Sequence, residues 1–157
     1  MTTTSQDHNT NNAASGGLPT IDSGKPFAIA SWVGQIVTAV ILGQTLFFKF
    51  TNAPETQVIF QDLGGRPAAL ASAVAELVVV VLILVPKTAV FGALGAVMIM
   101  LGAIASHIAV IGIAVPTPDG TGDDGGLLFG MAVVVLLMSA MVAALRRNAA
   151  LGLLREA

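Results

Sequence analysis

Four long apolar stretches, separated by breaks at proline, glycine or charge, constrain this chain more than any other feature. The first runs from Phe27 to Phe50 and ends at Asn52 and Pro54. The second, Ala68 to Val85, is opened by Pro67 and closed by Pro86. The third, Val90 to Val115, is closed by Pro116, and the fourth, Leu127 to Leu145, by Arg146 and Arg147. A helix crossing the hydrocarbon core needs about 20 apolar residues, within a range of roughly 17 to 25. All four stretches fit. Period-two alternation is missing, which excludes strands. Within lipid every backbone group must bond inside its own helix, so the prolines sit where they cost least, at the ends. The expected fold is all-α: an integral membrane four-helix transmembrane bundle over residues 26–147.

Composition supports this reading. Of 157 residues, 55% are hydrophobic and 10% charged, and the mean hydropathy is +0.85. A soluble domain carries about 25% charged residues, so this chain lacks the stock for a water-facing surface. The seven Lys and Arg residues are scattered and make no stripe for nucleic acid. With no cysteine, the chain itself holds no disulfide, thiolate metal site, iron–sulfur cluster or thiol–disulfide couple.

Residues 1–25, rich in Thr, Asn, Ser and Gly, have too little apolar surface to offset ordering entropy and read as a disordered tail. They lack the basic start of a signal peptide. Residues 148–157 form a second tail, read either as a short surface helix through Leu151, Leu153 and Leu154 or as a frayed end. With four spans, both termini share a side with the link between spans two and three. That side holds Lys25, Lys87, Arg146, Arg147 and Arg155; the other holds Lys49 and Arg66. Basic residues favour the cytoplasmic face, so both termini are expected in the cytoplasm, in a multi-pass protein of the cell membrane.

Glu76 is the most informative residue. It lies mid-span, where a charge costs a few kcal/mol and so must face the bundle interior with a partner or a proton. Ala69, Ser72, Ala73, Val80 and Ile83 share its face. His107 is the natural candidate partner. Counted from Pro67 and Pro116, both residues lie nine positions in, about 13 Å deep at 1.5 Å per residue. Spans two and three, tightly linked at 86–89, are antiparallel neighbours. Gly92, Gly95, Ala96, Gly102, Ala103 and Ser106 complete a close-packing seam beside His107, suited to helices within the chain or to a homo-oligomer. In span one, Ser31, Gln35, Thr38, Thr45 and Lys49 share a side. Lys49 either snorkels to the interface or points inward to a ligand at the Glu76–His107 level. Asp119, Asp123 and Asp124 lie in a glycine-rich loop whose spacing matches no calcium loop and read as solvated. One intramembrane His and scattered carboxylates make no zinc or haem site.

The run AELVVVVLILVPKTAVFGALGAVMIMLGAIASHIAVIGI, from Ala75 to Ile113, resembles the DoxX family of small bacterial membrane proteins. FFKFTNAPETQVIFQDLGGRP, Phe47 to Pro67, is similar to that family's Lys-containing end of span one and the loop after it. DGG before LLFGMA, Asp124 to Ala132, is similar to its entry to span four. The resemblance covers roughly Phe47 to Arg147 and is most specific at Glu76 and at the Gly102, Ala103, Ser106, His107 pattern. It implies a four-helix bundle acting as a membrane component of an oxidoreductase system, in some members with quinone as acceptor; no covalently bound cofactor is expected, and quinone is the expected ligand. Some members are linked to thiosulfate oxidation. The paired cysteines of the similar quinone-linked thiol oxidases are missing, so that chemistry does not carry over.

The leading expectation is a membrane subunit that binds a quinone or similar lipophile and takes electrons from a redox partner protein. Glu76 and His107 would act as proton relay or ligand contact, with Lys49, Ser72 and Ser106 at the ligand. The alternatives are a non-enzymatic scaffold or assembly factor, in which Glu76 and His107 only lock helices together, and a small proton-coupled carrier. A carrier is disfavoured by the lack of internal repeats and broken helices.

Overall fold

The computed structural model describes residues 24–155, with side chains from 25 to 147. The tail read as disordered therefore lies outside the described residues, apart from Gly24 and Lys25, which already belong to the first helix. Five helices follow one another: α1 Gly24–Thr51, α2 Pro54–Phe60, α3 Gly65–Leu84, α4 Ala89–Ser106 and α5 Leu127–Arg155. A π-helical turn, His107–Ile111, extends α4. No strand is present among the described residues, and α5 runs on through 148–155, so that part of the second tail continues the helix.

The four long helices close a ring in which α1 packs on α3 and α5, and α4 packs on α3 and α5. Each contains an apolar segment long enough to cross a bilayer, of which no more than 28% is buried inside the protein. Val40, Val78, Met98 and Leu137 face outward, while Ser31, Gln35, Thr38, Glu76, His107 and Ser139 are buried. Apolar outside and polar inside is the inverse of a water-soluble bundle and the arrangement lipid demands. The protein is a multi-pass membrane protein.

The interior differs along its length. At the end where α1 begins, packing is tight. A Cβ on Gly92 would collide with the backbone nitrogen of Ile83, so α3 and α4 touch backbone to backbone there. One on Gly95 would meet Val79 at 2.8 Å. Thr38 and Ser139 hydroxyls meet at 3.4 Å between α1 and α5. Arg146 of α5 donates to Ser31 Oγ (2.6 Å) and to the Pro86 carbonyl (3.1 Å), tying α1, the α3–α4 turn and α5 together.

At the opposite end, the α2 end, the bundle opens. A Cβ on Gly102 would meet nothing within 4 Å. The seam expected along α4 is thus a packing surface only at Gly92, Gly95 and Ala96; Gly102, Ala103 and Ser106 face a cavity. The 51–67 connection, read from sequence as a loop, contains α2, which begins on Pro54 at a position where a helix needs no N–H donor. The α1 carbonyls it leaves behind are capped. Asn52 turns left-handed (φ 55°), Ala53 N–H donates to Phe48 O (3.0 Å), and Arg66 donates to the carbonyls of Lys49 and Phe50.

Candidate functional site

The cavity at the α2 end has a volume of about 630 Å³, within the span of roughly 300–1,000 Å³ usual for small-molecule sites. Its walls are mostly apolar, with Ile41 and Phe48 from α1, Ile99 from α4 and Met131 from α5; Ile59 and Phe60 of α2 lie across it. Into this lining project Lys49, Ser72, Glu76, Ser106, His107 and Asp124. The structure therefore brings all five residues singled out from sequence to one cavity, though not in the expected pairing.

Glu76 is 3% exposed, and its partner is Lys49 rather than His107. Lys49 Nζ donates to Glu76 Oε1 and to Ser72 Oγ (3.0 Å); Ser72 in turn donates to Glu76 Oε1 (3.1 Å). Thr45 Oγ1 lies 3.0 Å from Glu76 Oε2 and 2.8 Å from Leu42 O, sharing its one hydrogen between them. Both carboxylate oxygens are thus satisfied and the two charges cancel locally, the condition under which an ion pair tolerates a low dielectric. Phe60 lies 5.6 Å from Lys49 Nζ, an aromatic face toward the ammonium. Among the described residues no hydrogen bond joins Glu76 to His107. The expected pairing fails because the helix ends differ from the sequence-based ones. Helix α3 begins already at Gly65, which sets Glu76 deeper, and the π turn that extends α4 stops at Ile111, which sets His107 nearer the helix end. The long lysine stem reaches inward from α1 and fills the gap. Lys49 thus points inward, to Glu76 and Ser72.

His107 opens the π turn. Its carbonyl accepts from Gly112 N–H (2.8 Å), and its ring Nδ1 bonds Gly112 O (2.8 Å), so backbone holds the residue at two points. Gly112 has φ 95° and ψ 162°, a conformation open essentially to glycine alone. The ring meets Phe129 of α5 edge to face at 5.8 Å. Wide turns of this kind often mark functional positions in helices. Ser106 donates to Gly102 O (2.9 Å) within its own helix.

Three site residues escaped the sequence reading. Thr45 was noted only as part of a polar stripe. Gly112 carried no signal, because a π turn breaks the 3.6 period. Asp124, read as solvated with Asp119 and Asp123, instead closes the cavity end. Its Oδ1 accepts from Val115 N–H (2.7 Å) and Gly126 N–H (3.0 Å), and its Oδ2 from Leu128 N–H (2.9 Å). Burial opposes its ionisation, but these backbone donors outweigh that and hold its pKa below the usual 3.8. An Asp followed by two glycines and an apolar run is a helix-start signal that was available. Asp119 and Asp123 remain exposed.

Compared with protein-family models, curated proteins and solved structures, the chain matches none of them.

Proposed function

We propose that the protein is a DoxX-like subunit of the plasma membrane that binds a quinone-class lipophile in this cavity, within an oxidoreductase system whose electrons come from a partner protein. The observation that carries the reading is one cavity, apolar-walled and at bilayer depth, that gathers an internally satisfied Lys–Glu pair and a backbone-clamped histidine. The residues present fit such a molecule: aliphatic walls for a ring and tail, Lys49 as a donor to an oxygen, and His107 for a hydroxyl of its reduced form. A bound quinone would supply two-electron, two-proton chemistry. His107 binds and orients the head. Lys49 has a third N–H beyond those given to Glu76 and Ser72, available to an oxygen. Glu76 holds Lys49 in place. Phe60 and Asp124 close the end of the site. The five-to-two bias of basic residues toward the end where α1 begins supports cytoplasmic termini; with that orientation the cavity would lie on the outer-leaflet side.

The test is extraction in mild detergent and identification of the lipid-soluble molecules that come with the protein. Wild type is expected to retain a quinone-class molecule, and His107→Ala to lose at least about 90% of it. An empty wild-type protein, or undiminished retention by the variant, overturns the reading.

A second reading, a non-enzymatic scaffold or homo-oligomeric assembly factor, is favoured by one observation: both carboxylate oxygens of Glu76 accept hydrogen bonds from inside the protein. It predicts that Glu76→Gln combined with His107→Asn retains function in cells.

A further inference from the structure

The fold has committed one nitrogen of His107 and left the other. A carbonyl oxygen can only accept, so the 2.8 Å contact with Gly112 O places a hydrogen on Nδ1. In the neutral ring Nε2 is then a lone-pair acceptor. No described residue donates to it. Nor is it sealed away: among the described residues the one fully buried side-chain nitrogen or oxygen without a partner is Gln35 Oε1, at the other end of the bundle. Nε2 is therefore open to the cavity that its ring lines.

The other polar groups there are largely spent on the protein itself. Both oxygens of Glu76 and both oxygens of Asp124 accept internal hydrogen bonds. Asp124 also faces three backbone N–H groups. Charge narrows the occupant further. Glu55, Glu76 and Asp124 line the cavity against one ammonium, Lys49. An anionic head such as a fatty-acid carboxylate meets a surplus of like charge. A neutral head that can donate does not.

We propose that the cavity selects an occupant whose polar end is a phenolic hydroxyl donating to His107 Nε2, and so prefers a hydroquinone over the corresponding quinone. The proposal rests on the reading that the cavity holds a quinone-class molecule. Gly112 is the positioning residue: its carbonyl fixes the tautomer, and its backbone conformation admits no side chain without strain.

The experiment measures binding of three probes to the purified full-length protein in nanodiscs: decylbenzohydroquinone under anaerobic reducing conditions, decylbenzoquinone, and the hydroquinone dimethyl ether. The hydroquinone should bind about tenfold more tightly than either of the others, the effect of one hydrogen bond in a dry site. In His107→Ala the three should fall within about twofold of one another. Nitrogen NMR of labelled histidine supplies a readout independent of the variant's folding: wild-type Nε2 is expected to show the shift of an unprotonated ring nitrogen that moves on hydroquinone binding. Equal affinities, a quinone preference, or a protonated Nε2 overturns the tautomer argument while leaving the quinone-class reading in place. Failure of all three probes to bind overturns both.

Discussion

Glu76 announces itself by chemistry alone, one carboxylate ahead of an unbroken run of Val, Leu and Ile. Its partner was not readable in the same way. A helical wheel places Cβ atoms, and Lys49 reaches Glu76 by the length of a flexible stem from near the end of α1. His107 was legible as an oddity, but its clamp on Gly112 depends on a π turn that no periodicity announces. The ion pair yields a prediction at this scale. Removing one member leaves an uncompensated charge in a dry interior, so Lys49→Met should destabilise the folded protein by about 3–5 kcal/mol. Adding Glu76→Leu should recover most of that loss, because two apolar groups replace two desolvated charges. Unfolding measured in one detergent for the four members of the cycle decides it; additive losses would mean that the two residues are not coupled.

The helices themselves were largely written in the apolar runs. The expected Phe27–Phe50 and Ala68–Val85 became Gly24–Thr51 and Gly65–Leu84. The early end of span three has a local cause: Gly112 with φ 95° stops the helix before the expected Val115, although Ile113 to Val115 are as apolar as what precedes them. Helix α2 was missed because seven residues are too few to show a period. Glycine roles separate at this scale too. Gly92→Ala forces a methyl into the α3 backbone and should cost about 1–3 kcal/mol or more. Gly102→Ala, with open space before it, should leave thermal stability within about 0.5 kcal/mol; a similar loss in both would contradict the close approach of α3 and α4 at Gly92. The 112–126 loop adds a pH dependence. Asp124 has its pKa lowered in the folded state, so the native protein binds fewer protons than the unfolded one as this group titrates. Its contribution is complete above the ordinary value of 3.8 and fades as pH falls through the lower folded value. The melting temperature of wild type should therefore drop more steeply below pH 3.8 than that of Asp124→Asn.

At the scale of the molecule, four spans, an all-helical bundle and the inward placement of polar residues followed from composition and length, because lipid leaves few alternatives. Orientation is open to direct measurement, and the cysteine-free chain makes it simple. Asp119→Cys should react with an impermeant maleimide in intact cells, and Lys87→Cys only after the membrane is opened; the reverse pattern would invert the proposed topology. The contacts of α1 with α5 carry one more consequence. Thr38 of the first span meets Ser139 on the last, and Ser31, which already accepts from Gln35 in its own helix, takes its second bond from Arg146 there. During synthesis, an intermediate that lacks the final span has not yet made these two contacts between the first and last helices. The last span to be made is thus the one that closes the ring of helices.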